Sequence, residues 1–166
     1  GYDIVGGEGP MTPTRCGAVP VIEAFSYLEE HGINTARRLC QRTGGFTDLL
    51  GTSDAIEVTK HAAAGDEAAQ RAWSAMEYQI AKYIASMAGV LKGHVDGILL
   101  GGGMVHIDEL VAYIQDACGW IAPVTAYPGE FELEAMAAGA IRVLEAEEEA
   151  KTYTGIPVFQ GFACFE

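Results

Sequence analysis

The chain has 166 residues, 49% of them hydrophobic, and a formal net charge of -13. That length and apolar fraction suit one domain with a real core and exclude a disordered chain, while the acidic excess disfavours nucleic acid and anionic membrane as partners. No apolar run reaches the roughly 18 residues of a membrane span and no basic leader precedes an apolar stretch, so no membrane partner and a cytoplasmic location are expected.

Cys16, Cys40, Cys118 and Cys164 lie in four separate segments without a C-x-x-C pair, which argues against a zinc site and supplies no disulfide framework. Cys16 alone sits among polar turn residues. The opening Gly1-Tyr2-Asp3-Ile4 has no start-like character, and the chain is expected to begin mid-protein.

In chain order, residues 6–20 carry Pro10, Pro13, Pro20 and four glycines and read as a loop, ordered or mobile. Val21, Ile22, Phe25 and Leu28 then fall near helical spacing, with His31-Gly32 as the stop. Asn34 is a plausible N-cap for a short helix from Thr35 to Arg42, ended by Gly44-Gly45. Phe46 to Leu50 reads as an apolar turn, after which Thr52-Ser53-Asp54 offer capping side chains for a helix to about Ala64. From Asp66 to about Leu91 the only glycine is Gly89, and Ala69, Trp73, Met76, Ile80, Tyr83, Ile84 and Met87 form one stripe. A helix of roughly 25 residues, about 37 Å long, is expected there as the central helix of the domain.

Beyond it the pattern predicts a strand over 95–100, a glycine loop at Gly101 to Gly103, a helix over 107–118, a strand over 121–127, a Pro128-Gly129 turn and a helix over 131–145. Strand, helix and strand at these lengths make a parallel βαβ unit, with helices on both faces of a small sheet. The stretch from Tyr153 to Glu166 is expected to be an extended tail, packed on the body or frayed.

A glycine run between a buried strand and a helix suits a nucleotide, because backbone can approach a base or sugar where no Cβ intervenes. The competing reading is tight strand-to-helix packing. Arg15, flanked by Thr14, Cys16 and Gly17, is the sharpest catalytic candidate, since a guanidinium fork binds phosphate or carboxylate in two places at once. A solvated surface arginine is the alternative. Glu130, Glu132 and Glu134 follow the second strand, where a carboxylate could hold Mg²⁺ directly or through water, although glutamate in a first helical turn is favoured by the helix dipole alone. Ser53 and Asp54 are explained by capping or by contact with phosphate or ribose, and His106 lies close enough to the glycines to touch a ligand.

Taken in order, these segments resemble the carboxyl-terminal half of a butyrate kinase, in the superfamily of acetate and sugar kinases, Hsp70 and actin. The carrying residues are Gly7-Glu8-Gly9-Pro10, Thr14-Arg15-Cys16-Gly17 (similar to the T-R-S-G of acetate kinases), Leu50 to Asp54, Ala81-Lys82, Val95 to Gly103, Ile121 to Val124, Tyr127 to Glu130 and Ala138 to Leu144. The resemblance spans about residues 6–151. It implies an α/β, actin-like (ribonuclease H-like) ATPase domain over 1–151, incomplete by itself, followed by a tail over 152–166.

It also implies reversible transfer of phosphoryl from ATP to a short-chain carboxylate, with nucleotide and Mg²⁺ as cofactors. Arg15 then matches the arginine that steadies the transferring phosphoryl group. Gly101, Gly102 and Gly103 match the adenosine motif, flanked by Met104 and His106, and Ser53 and Asp54 match a segment near the adenine or ribose. Glu130 or Glu132 corresponds to the acidic Mg²⁺ site.

The sequence departs from that family at three places. Gly6 stands where Asp is usual, Gly101 where Thr is usual and Phe131 where an acidic residue is usual. The phosphate-binding hairpins and acyl pocket of such kinases lie largely in an amino-terminal domain, and the chain alone is expected to be inactive. A non-catalytic, actin-like nucleotide- or partner-binding module, and an acetate kinase domain, remain the alternatives. The long helix and apolar tail can serve a homodimer, as in related kinases, or simply the core.

Overall fold

The computed structural model describes residues 9–156. They divide into two compact units, one ending at Gly129 and the other beginning at Glu130.

In the first unit, helix α1 (Val21–His31) and helix α2 (Ile33–Arg38) are followed by a π-helical turn, Leu39–Thr43. The short helix α3 (Phe46–Leu50), helix α4 (Ala55–Ala63) and the long helix α5 (Glu67–Val90) come next. Strand β1 (Ile98–Gly102), a 3₁₀ turn (Gly103–His106), helix α6 (Asp108–Cys118) and strand β2 (Val124–Pro128) complete it. The second unit contains helix α7 (Glu132–Leu144).

Aspartates start two of these helices. Asp54 accepts from the backbone N–H of Ile56 and Glu57 at the head of α4, and Asp66 accepts from Ala68 and Ala69 at the head of α5. Each carboxylate satisfies donors that the helix itself leaves open. By contrast, Asn34 does not cap a helix. Gly32 ends α1, its N–H donating to Leu28 at 2.9 Å, and its carbonyl accepts from Ala36, so α2 begins at Ile33 with Asn34 inside it.

The 24-residue α5 is the long helix expected, and Ala69, Trp73 and Met76 are buried on its inner face. Met87 is 52% exposed and leaves the predicted core stripe, because the inner face of the helix passes through Ala88 near its end. Phe46, fully buried, lies with its ring centroid 6.0 Å from that of Trp73, and Ile114 of α6 joins the same core.

The two strands form a parallel pair, from Ile98 opposite Val124 to Gly102 opposite Pro128. With α6 packed on β2 and α5, this is the predicted βαβ unit. Both strands begin three residues later than the sequence pattern indicates. Val95 bonds back to Gly93 in the turn after α5, Ile121 bonds to Cys118 after α6, and Pro123 has no N–H to give the ladder. Pairing starts where Ile98 donates to the Pro123 carbonyl at 2.9 Å. Residues 151–156 carry no helix or strand, and the rest of the predicted tail, like Gly6, lies outside the described residues.

Candidate active site

Arg15 sits in a turn defined by backbone geometry. Thr12 donates its N–H to the Arg15 carbonyl at 3.1 Å, while the Thr12 hydroxyl accepts from the N–H of Arg15 at 3.0 Å. The turn is fastened from outside by Gly44 N–H to Thr14 carbonyl, Cys16 N–H to Leu39 carbonyl, and both the N–H and hydroxyl of Thr47 to the Pro13 carbonyl. On its other side, the Gln79 side chain of α5 accepts from Met11 N–H at 2.8 Å. The glycine- and proline-rich segment is therefore an ordered platform. The half-buried Arg15 side chain makes no ion pair among the described residues.

The sequence pattern did not point to Leu39, Gly44, Thr47 or Gln79 as contributors to this platform. Gly44 and Gly45 read as a helix stop, and a glycine doublet is the one signal there for a close approach of two chain segments.

Gly101 and Gly102 are not a loop. They are the last two residues of β1, paired with Tyr127 and Pro128, and only Gly103 enters the 3₁₀ turn. The extended run continues because parallel pairing needs backbone groups, which glycine supplies as well as any residue. Gly102 exchanges backbone hydrogen bonds with Gly129, and its φ of 97° is one that L side chains rarely adopt.

A Cβ added at Gly101 or Gly102 would meet nothing within 4 Å among the described residues. Tight packing therefore does not explain these two glycines, and the bare backbone faces open space. Beside it lies a cavity of about 340 Å³, lined by Gly101, Met104, Leu99, Val111 and other apolar side chains. Apolar side chains beside the bare backbone of Gly101 can take the flat face of a base, while the lining offers no polar side chain to its edge, ribose or phosphates. His106 is exposed at the end of the 3₁₀ turn.

Ser53 and Asp54 are exposed, and Asp54 is engaged as the cap of α4. Thr52 donates to Glu57 at 2.6 Å and accepts from Asp54 N–H, closing the same turn. No hydrogen bond among the described residues joins this cap, or Arg15, to the glycine segment. A separate cavity of about 270 Å³ lies between Gly51-Thr52 and the His61, Asp66 and Ala69 side of the α4–α5 corner.

Glu130 and Glu132 are exposed at the start of the second unit, with Glu132 and Glu134 in the first turn of α7. Among the described residues no group of three or more His, Cys, Asp or Glu side chains could hold a metal ion. As hard oxygen donors, the two glutamates suit Mg²⁺ in the way nucleotide sites use it, through one or two carboxylates with water and phosphate oxygens.

Burial and the nearby Cys40 push the Cys16 thiol up to about 11. Burial also raises Glu77 of α5, which is 5% exposed, against an opposing contribution from Trp73. Among the described residues no helix is long and apolar enough to cross a membrane.

The fold is actin-like. It matches acetate kinase of Porphyromonas gingivalis with a TM-score of 0.73 at 20% identity, covering 82% of this chain and 41% of that one. It also matches a propionate kinase of Francisella tularensis with a TM-score of 0.60 at 20% identity, covering 72% and 38%.

The chain belongs to the acetokinase family, whose pattern matches residues 5–117. It is 45% identical over 152 residues to a probable butyrate kinase of Coprothermobacter proteolyticus, covering 90% of this chain and 42% of that protein. A probable butyrate kinase of Enterococcus faecalis is 39% identical over 156 residues, covering 93% and 43%. The chain thus spans less than half the length of the curated relatives it matches.

Proposed function

We propose that this chain is the carboxyl-terminal, nucleotide-binding part of a butyrate or related short-chain or branched carboxylate kinase. In that reaction a carboxylate oxygen attacks the γ-phosphorus of ATP, the bond to the β,γ-bridging oxygen breaks, and acyl phosphate and ADP result; the reverse makes ATP. The observation that carries the reading is Arg15, a half-buried residue without an ion pair among the described residues, on a turn that five backbone and side-chain hydrogen bonds tie to other segments.

Phosphoryl transfer requires in-line placement and neutralisation of charge on the equatorial oxygens more than covalent participation by the protein. The bonds fix the backbone from which the guanidinium projects, so its charge is available there before the substrate arrives. The bare backbone of Gly101 and Gly102, with Gly103, Met104 and His106, would bind the adenosine, and Ser53 and Asp54 would lie toward base or ribose. Asp54 can do so only with the oxygen that its cap leaves free. Mg²⁺, when bound, would neutralise phosphate charge, with Glu130 or Glu132 orienting it through water.

The active protein includes an amino-terminal domain carrying the acyl pocket, resides in the cytoplasm and pairs as a homodimer. The domain reading is 1–151 with a tail over 152–166. The test is hydroxylamine trapping of acyl phosphate from MgATP and carboxylic acids of increasing length, on this chain and on the product of its complete gene. Activity in the complete product alone, peaking near four carbons, is expected. Inactivity of both with nucleotide binding retained would replace the kinase reading by a non-catalytic nucleotide-binding module, for which Phe131 in place of an acidic residue would be the reason. A peak at two carbons would make it an acetate kinase, and a monomer on gel filtration would remove the homodimer.

A further inference from the structure

Cys16 and Cys40 are 24 positions apart in sequence, yet their sulfur atoms lie 3.8 Å from each other. The backbone sets this proximity. Cys16 N–H donates to the carbonyl of Leu39, the residue before Cys40, at 3.2 Å, and a Cβ at Gly44 would fall 2.5 Å from Cys16 N, so only glycine allows the segments this close. Both thiols are half-buried, and both line an apolar cavity of about 210 Å³ whose other walls include Val19, Tyr27, Ala36 and Leu39.

We propose that Cys16 and Cys40 form an oxidation site, a dithiol that a small neutral hydroperoxide converts to a disulfide, tying the Arg15 turn covalently to the π-helical turn Leu39–Thr43. The cavity supplies access for a small uncharged oxidant, and its apolar lining with Glu23 at the rim disfavours bulky anionic disulfides.

The geometry also assigns the order of events. The Cys16 thiol lies 3.3 Å from the Gly17 carbonyl, which accepts its proton, and 3.8 Å from the Cys40 sulfur. Burial and Cys40 hold Cys16 protonated, with its thiol pushed up to about 11. The Cys40 sulfur therefore attacks the peroxide oxygen, its own proton joining the hydroxide released as the O–O bond breaks, and Cys40 sulfenic acid and water result. The Cys16 sulfur then attacks the Cys40 sulfur, its proton leaving with the expelled hydroxide as a second water. Two thiols lose two electrons in all, and one hydrogen peroxide becomes two waters. The buried Cys118 has no sulfur neighbour among the described residues and takes no part.

The inference does not depend on the kinase reading, because its test reads thiol chemistry and not turnover. The chain is treated with hydrogen peroxide, free thiols are alkylated, and tryptic peptides are weighed. Cleavage after Arg15, Arg37, Arg38 and Arg42 puts Cys16 in peptide 16–37 and Cys40 in peptide 39–42. The expected product is those two peptides linked, lighter by two hydrogens than their sum, and separated by dithiothreitol. In Cys16→Ser, dimedone should label Cys40, whereas in Cys40→Ser no dimedone adduct should form at position 16. Both peptides fully alkylated after peroxide, or a link from either cysteine to Cys118 or Cys164, would overturn the site. A dimedone adduct at Cys16 in Cys40→Ser, with none at Cys40 in Cys16→Ser, would overturn the order.

Discussion

Gly45 faces the carbonyl oxygen of Thr12 so closely that a Cβ at Gly45 would lie 1.7 Å from it. Gly45 also has φ of 62°, in the left-handed region. The two constraints coincide where the chain must pass beneath the Arg15 turn. Gly45→Ala should destabilise the protein by about 3 kcal/mol or more, because the clash is with backbone that three flanking hydrogen bonds hold in place. Gly51→Ala is the control. Its φ is 75° but a Cβ there meets open space, so only the conformational cost of about 1 kcal/mol applies. Urea denaturation of both variants measures the difference, and equal costs would show that the approach to Thr12 is not a constraint.

Arg15→Ala in the complete enzyme should lower turnover by roughly 10²- to 10³-fold, the usual loss on removing one fixed charge-stabilising donor, with ADP affinity nearly unchanged. Arg15→Lys should recover only part of it, since an ammonium keeps the charge but not the planar fork. Steady-state kinetics beside ADP titration separate the two quantities. Turnover equal to the parent's in Arg15→Ala would remove the arginine from the mechanism.

Asp66 gives a pH signature. Its carboxyl is held below the usual value of 3.8, chiefly by the N–H groups of Ala69 and Ala68. A carboxylate with a depressed folded-state pKa contributes stability that is present above the unfolded value and lost as pH falls through the folded one. Asp66→Asn keeps an acceptor at the cap but does not titrate. The Tm difference between parent and variant should stay constant above about pH 5 and shrink below about pH 4. A difference independent of pH down to acid unfolding would contradict the cap's ionic character.

Phe46→Ala should cost about 3–5 kcal/mol, because the ring is fully buried against Trp73 and its removal leaves a cavity. Met87→Ala should cost less than about 1 kcal/mol although Met87 belongs to the apolar stripe that carries Trp73, since it is 52% exposed. Thermal denaturation of the two variants checks the ranking.

Much of the architecture was legible along the chain because local signals agreed with the final packing. Asp54 and Asp66 precede α4 and α5, the long proline-free stretch made α5, and the alternation of strand and helix lengths predicted the parallel unit. Where two local options were equally good, the pattern failed. Asn34 is a good cap by residue type, yet Gly32 takes that place, and Val95 extended the apolar run of Ile98 to Leu100 across Asp96 and Gly97, which pair with nothing in the ladder.

Sequence by itself determined which residues could carry chemistry: an isolated arginine among glycines and prolines, a glycine run after an apolar segment, and two glutamates past the second strand. Tertiary structure decided what holds them. The Arg15 turn is ordered by Leu39, Gly44, Thr47 and Gln79, residues 24 to 64 positions further along. Gly101 and Gly102 became strand because Tyr127 and Pro128 lie alongside. Helix caps and periodicity depend on neighbours within a few residues and can be read in one dimension. A hydrogen bond between distant segments, or the absence of a neighbour over a glycine, depends on where the whole chain runs.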